Sequence, residues 1–484
     1  MASVKSNVLL NGINTVVGII FPIITFPYAA RVLLPEGIGT VNFLNSIVSY
    51  IVLLTSVGIP LYAVKEIAKY RDDIEQRNRI TIEILILSIS LCLIGYVVVW
   101  ALAAYVPQIH KQSSLFYILS LTIVFTGIGV NWFYQGVEDF KYITIRGIIF
   151  RTLSAASLFI FVKTSQDLLI YGCILVGSTV GSNILNFVHL KKYINFNSIK
   201  IRDLSVSRHI KPSLQVFVFN LITSLYIQLN SVMLGFMSGD NAVGFFSAGT
   251  KMTHIGLTII TSLGVVLLPR CANLIKSGDI ISFKSVVHKS LSVTLALSLP
   301  MTIGLMVLAK PITLLFCGNE YYESIYILVL NAPVIIFISL TNLMGMQILY
   351  PMDKINIVIW SVSGGAIVNL LLNLFLIPYF GAVGAAVATL FAEFMVLFIQ
   401  IIYGKAYYPF KIREIINVRY IMVSAVMGIT VWLSVMSIHS NVIQVSVGLI
   451  VGVTIYITCL YMAKDSLINE LSSFLRGCLH IKHN

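Results

Sequence analysis

Fourteen apolar stretches, each about the length of a bilayer-crossing helix, run end to end through this chain of 484 residues and leave little room for anything else. A hydrocarbon core of about 30 Å calls for about 20 apolar residues per helix. The stretches are 7–31, 42–64, 80–105, 115–135, 143–163, 168–190, 212–237, 243–268, 289–316, 324–349, 355–377, 381–403, 418–438 and 442–463. With 58% hydrophobic and 11% charged residues, the composition lies outside the soluble range. The expected fold class is therefore an all-α integral membrane protein of about 14 transmembrane helices. The connections are too short to hold a folded catalytic domain.

Charge sets the orientation. The net charge of +13 could point to nucleic acid, but its distribution excludes that partner. Of the 32 Lys and Arg, 27 fall on the N-terminal side and the even-to-odd connections, four on the opposite side (Arg31, Lys111, Lys163, Lys310), and Lys251 inside a stretch. The positive-inside rule then predicts a multi-pass protein with both termini cytoplasmic. Anionic lipid head groups are the natural partners of that basic side. The six cysteines show no CxxC pairing and mostly sit in or beside apolar stretches, which predicts buried free thiols and no metal site. The first stretch is too long for a signal-peptide core and is expected to be retained as a helix.

A weak internal repeat divides the chain. LPEGIGTVNFLNSIVSY (34–50) follows the first stretch and SGDNAVGFFSAGTKMT (238–253) follows the seventh, so that Gly39 corresponds to Gly244; FGAVGAAVATLFAE (380–393) is a third variant. Six stretches per half, starting on the same side, predict parallel repeats about an axis along the membrane normal. The expected organisation is a six-helix lobe at 1–190, a basic cytoplasmic linker at 191–211, a second six-helix lobe at 212–403, two additional helices at 404–463 and a cytoplasmic amphipathic tail at 464–484.

Polar residues recur at helical spacing in the stretches that open each half. They are Asn11, Asn14, Gly18, Pro22 and Thr25 in the first; Asn42, Asn45, Ser49 and Ser56 in the second; Ser213, Asn220, Ser224, Gln228 and Ser231 in the seventh; and Ser247, Lys251, His254, Thr258 and Ser262 in the eighth. Such spacing aligns side chains on one face, which must point into the bundle or a wet cavity. Amide and hydroxyl groups can equally tie neighbouring helices together. Lys251, well inside its stretch and sharing a face with His254, is the stronger functional candidate. Arg31 ends the first stretch, as anchor or ligand group. Glu393, the deepest carboxylate, could pair with a cation, relay protons or bond a neighbouring helix. Glu83, nearer a helix end, is expected to be solvated, and Glu138 and Asp139 are expected to be accessible to Lys141 and Arg146. Pro22, Pro27, Pro300 and Pro333 should bend their helices.

At these residues the chain resembles the multidrug/oligosaccharidyl-lipid/polysaccharide exporter superfamily, and within it the polysaccharide transporters, the Wzx-type flippases. The resemblance is carried by ARVLLPEGIGTVNF (30–43), WFYQGVEDFKY (132–142), GFFSAGTKMTHIGLTIITSLGVVLLPR (244–270) and the block at 331–393. It implies two six-helix lobes around a central cavity bordered by helices 1, 2, 7 and 8, with two C-terminal helices added. It implies a transporter, not an enzyme, that moves polyprenyl-pyrophosphate-linked repeat units of O-antigen or another surface polysaccharide by alternating access. Lys251 matches a cation that holds the anionic lipid head, and Arg31 a recurrent basic position. Asn14, Asn45, Asn220, Ser247, His254 and Thr258 are the expected glycan contacts. No cofactor is implied, proton or sodium coupling through Glu393 stays open, and polysaccharide-assembly membrane proteins are the expected protein partners. A lipid II flippase is disfavoured because the basic residue found midway along helix 1 is absent. A cation-coupled multidrug exporter is disfavoured because helices 1 and 2 lack carboxylates. A glycosyltransferase or polymerase would need a larger extramembrane loop.

Overall fold

The computed structural model describes residues 4–194, 204–408, 417–465 and 467, and every regular element among them is helical. In chain order these are α1 Val4–Ser56, α2 Ile59–Lys69, α3 Ile74–Tyr105, α4 Pro107–His110, α5 Ser113–Ile128, α6 Asn131–Gly136, α7 Phe140–Phe161 and α8 Leu168–Leu190. A 3₁₀ turn, Val206–His209, leads into α9 Ile210–Met237, α10 Asp240–Lys276, α11 Ile280–Val307, α12 Ala309–Cys317, α13 Ser324–Asn331, α14 Val334–Asn342 and α15 Ile355–Gly404. The chain continues with α16 Val418–Val435 and α17 Asn441–Met462. Eleven described helices or helix pairs are long and apolar enough to cross a membrane. This is a multi-pass membrane protein. The fourteen predicted spans are accounted for because α1 and α15 each carry two, and because α9 includes the shorter apolar run Ile227–Met237.

The paired spans share one device. In α1 the helix breaks at Leu34 (φ 62°), between α9 and α10 the chain turns at Gly239 (φ 82°), and in α15 it breaks at Gly381 (φ 52°). The first two breaks stand five residues before Gly39 and Gly244, and the third stands three residues before Gly384, the matching glycine of the third variant, so each variant lies just past a backbone break. At Leu34 the left-handed φ is held by a branched side chain, with Pro35 pushing its ψ to an extended 175°.

Two compact units emerge, Met1–Gly244 and Phe245–Asn484. In the first, α1 packs along α7 and α9, and Ser46 donates to Gln228 Oε1 at 3.1 Å. The repeat-related turns meet there. A Cβ at Gly39 would run into the carbonyl of Asp240, and a Cβ at Gly244 into the carbonyl of Pro35. Glycine at both positions lets two helix starts touch backbone to backbone, and Thr40 Oγ1 closes the contact by donating to Asp240 Oδ2 at 2.7 Å. One end of this unit is sealed by a core of Ile67, Ile84, Phe133 and Tyr134.

Boundaries of the second and ninth spans differ most from expectation; the ninth covers Ile280–Val307 instead of 289–316, and the separate α12 follows it. The second span ends at Ser56, not near 64: the chain turns at Gly58 (φ 70°), which lies so close to Ser213 O and Phe217 N that no side chain fits, and Pro60 starts the separate α2. The fourth span runs Ser113–Gly136, close to its expected bounds, with a left-handed Val130 separating α5 from α6 within it.

The second unit centres on α11, α14, α15 and α16 around Phe283, Leu291, Leu343, Leu397 and Tyr420. The tenth span is composite, with α13 and α14 joined at Pro333 and a π-helical turn at Leu343–Leu349. The added helix α17 packs on α16 and α12. Of the predicted tail at 464–484, all but Lys464, Asp465 and Leu467 lies outside the described residues, as do residues 195–203 of the basic linker, with Lys200 and Arg202.

Candidate functional site

Helix α10 is unbroken from Asp240 to Lys276, so Lys251 is the twelfth residue of a continuous rod and not a group near a frayed end. That sets it about 16 Å along the helix from its start. Ser247, Lys251 and Thr258 are half-buried and His254 is exposed, all on one face. The Thr258 hydroxyl donates to the His254 carbonyl at 2.9 Å, and Thr250 makes the same bond to Phe246 at 2.8 Å. Their protons are thus spent inside the helix, and the oxygens remain as acceptors. The face offers a cation, an imidazole and hydroxyl oxygens, a set suited to a phosphate with sugars attached.

The other expected residues divide between the units. Arg31 is exposed near the C-terminal end of the first limb of α1, and Asn45 is exposed on the second, its carbonyl accepting from Ser49 at 2.7 Å. Asn14 and Asn220 lie within α1 and α9, with their side chains outside the described residues. Glu393 is buried in the second limb of α15. The first limb of that helix carries a buried amide pair, Asn373 Nδ2 donating to Asn369 Oδ1 at 3.0 Å, and Ser361 accepts from Gln400 Nε2 at 3.0 Å. Glu393 therefore belongs to a helix rich in buried polar groups and stands apart in character from the half-exposed face of α10.

Glu83 overturns its expectation. Its side chain is wholly buried and collects donors from two segments, α3 itself and the linker end at 205–209. Arg208 reaches Oε2 through Nε at 2.8 Å and Nη2 at 2.5 Å, the Ser205 amide reaches Oε1 at 2.7 Å, and Arg79 reaches Oε1 at 3.2 Å. His209 Nε2 lies 2.7 Å from Oε2, and its Nδ1 lies 2.7 Å from the Tyr62 hydroxyl. A neutral ring satisfies both bonds, Tyr62 donating to Nδ1 and Nε2–H donating to the carboxylate. Burial lowers the His209 pKa, against the pull of Glu83, and burial pushes Tyr62 up to about 12. The cluster clamps the linker end onto α2 and α3 just before α9 begins.

Arg146 is also not where expected. It is buried, donates to Asn131 Oδ1 at 3.2 Å and lies over the Tyr142 ring, while Arg71 is the cation that meets Glu138, at 3.1 Å. Arg151 was missed. By charge it counts with the connection after α6, yet it is the twelfth residue of the 22-residue α7, with its guanidinium over Gly18 of α1. Its position within the span 143–163 was the available signal.

Comparison with known proteins adds the lineage. The family described as polysaccharide biosynthesis protein matches residues 4–275, more than half of the chain. The chain belongs to that family. It is 25% identical over 411 residues to the "Putative O-antigen transporter" of Escherichia coli (strain K12), covering 83% of this chain and 97% of that protein. It is 24% identical over 381 residues to the capsular polysaccharide biosynthesis protein CapF of Staphylococcus aureus, covering 75% and 89%. Among solved structures, the lipid II flippase MurJ in an inward closed conformation superposes with a TM-score of 0.74 at 14% identity, covering 95% of this chain and 100% of that one. The fold is that of the MurJ and multidrug-exporter structures.

Proposed function

We propose that this protein is a flippase, not an enzyme, which carries polyprenyl-pyrophosphate-linked oligosaccharide repeat units from the cytoplasmic to the outer leaflet of the bacterial inner membrane by alternating access. The observation that carries the reading is an intramembrane cation, Lys251, on a half-exposed polar face of α10 in a chain of the polysaccharide biosynthesis family. The names of its relatives, an O-antigen transporter and a capsular polysaccharide protein, support the same class of cargo.

The physical task is to carry sugars and pyrophosphate through hydrocarbon while the polyprenyl tail stays in lipid. Hydroxyl and amide groups at Ser247, Thr258, Asn45, Asn14 and Asn220 replace water around the sugars. Lys251, assisted by His254 and Arg31, holds the phosphates, because a charge in low dielectric must be paired. Glu393 is the group for ion coupling. The charge count puts both termini in the cytoplasm.

Reconstitution in liposomes with a defined lipid-linked oligosaccharide tests this directly. Wild type exposes the glycan on the opposite leaflet, and Lys251→Ala abolishes that transfer at unchanged protein level. Transfer by Lys251→Ala at the wild-type rate rejects the role of Lys251. No transfer by wild type of any polyprenyl-pyrophosphate glycan rejects the function.

A further inference from the structure

We infer that Arg151, seated on Gly18, is a second phosphate-binding group in the first unit, one that holds the pyrophosphate of the lipid-linked substrate at mid-depth of the membrane; this rests on the flippase reading above.

Depth is the first observation. Ten residues of α7 follow Arg151 and eleven precede it, so at 1.5 Å per residue it lies roughly 16 Å from either end. A bilayer core of about 30 Å places that point near its centre. An arginine side chain is too short to snorkel to either surface from there. A charge held at such depth faces protein or water, and it marks a path for a charged cargo.

The seat is the second. The Arg151 Nη1 lies 3.6 Å from where a Gly18 Cβ would stand, with Nη2 at 3.8 Å. The guanidinium therefore faces Gly18, all three of its nearest atoms within contact distance of a Cβ there, on the face that carries positions 11, 14, 18, 22 and 25. Tyr28 fixes the register of the two helices higher up: its hydroxyl donates to the Val162 carbonyl at 2.7 Å, and its ring meets Phe159 edge-on with centroids 4.7 Å apart. Gly18 and Tyr28 on α1, and Arg151 and Phe159 on α7, rise in the same direction, so the contact at Gly18 belongs to a continuous parallel packing. The polar face of α1, read from sequence as glycan-lining, thus meets a fixed cation halfway across.

Chemistry narrows the ligand. A planar guanidinium with several donors matches phosphate oxygens in pairs, where an ammonium acts as a point charge. Arg31 stands thirteen residues beyond Gly18 on α1, about 20 Å further along the helix. The first unit therefore carries cations at two depths, and Arg151 is the one at which the anion would otherwise meet its greatest desolvation cost.

The test measures binding to purified protein in nanodiscs of neutral phosphatidylcholine. Three ligands are titrated: a polyprenyl-pyrophosphate oligosaccharide, the same glycan on neutral polyprenol, and phosphatidylglycerol. In Arg151→Gln the affinity for the pyrophosphate ligand should fall about tenfold or more, as expected for a lost charge-assisted pair, while that for the neutral glycan lipid stays at its wild-type value. Arg151→Lys should recover part of the loss. Gly18→Val, which leaves the arginine in place but crowds its seat, should lower pyrophosphate affinity without altering neutral-lipid binding. Equal pyrophosphate affinity in wild type and Arg151→Gln overturns the inference, and so does a parallel loss for both glycan lipids with a lowered melting temperature, which marks a structural arginine. A loss confined to phosphatidylglycerol overturns it in favour of an annular lipid site. If wild type neither binds nor flips the pyrophosphate ligand, the flippase reading itself has failed; if wild type flips it and Arg151→Gln does so equally, only this inference has.

Discussion

At the scale of single residues, Glu83 is the clearest lesson in context. A carboxylate near a helix end is normally solvated, but here three side chains and a backbone amide replace the water. Removing one side of a buried pair leaves the other charged and unpaired, which costs about 3–5 kcal/mol. Glu83→Ala should therefore lower the melting temperature in detergent sharply, whereas Lys65→Ala on the exposed face of α2 should leave it unchanged. His209 adds a pH dependence. Its folded pKa is depressed below the ordinary 6.5, so the unfolded chain takes up the proton first. Stability from the neutral ring is full above that value and is lost as pH falls through it, with Glu83, Arg79, Arg208, Glu66 and Tyr62 as the surrounding charged or titratable groups. Melting temperature should drop between pH 7.5 and 5.5, and the slope should be shallower in His209→Gln. Leu34 is a smaller case of strain. A branched residue at φ 62°, ψ 175° holds a conformation that costs about 1–3 kcal/mol. Leu34→Gly should raise the melting temperature modestly; a fall would mean that the leucine side chain contributes more than its strain costs.

Among the helices, the repeat became legible as mechanics. Sequence similarity pointed to Gly39, Gly244 and the variant at 380–393 as equivalent hinges. The bend itself sits a few residues earlier in each, at Leu34, Gly239 and Gly381, and the glycines at 39, 244 and 384 serve close contact instead. Gly39→Ala and Gly244→Ala should each reduce the yield of folded protein in detergent-solubilised membranes, because the methyl group meets a backbone carbonyl that cannot swing away as a side chain could. Gly239→Ala, with open space around its Cβ position, should fail less severely and through backbone strain alone. Hydropathy placed most spans correctly but overran the ends of the second and ninth. It averages over residues and does not register that Gly58 is locked against Ser213, or that the separate α12 follows α11.

For the molecule as a whole, the fold, the family and the membrane class agree with what the amino-acid order predicts. Reporter fusions placed before residue 4 and after residue 467 should both be active on the cytoplasmic side; activity of one on the outer side would reverse the orientation argued from charge. Membership of the class was readable because crossing a bilayer requires long apolar runs in which the helix satisfies its own backbone, a property that each segment displays alone. The polar face on α10 was equally readable, since helical spacing is local and Ser247, Lys251, His254 and Thr258 fall on one side of a continuous helix. Lys251 stood out for the same reason: one charge in one apolar run. Glu83 and Arg151 did not, because their meaning lies in residues 122 to 133 positions away, in the linker at 205–209 and in Gly18. Local pattern determined that this chain spans a membrane and where its apolar runs carry polar positions; packing alone decided which charges are held apart from water and what they face.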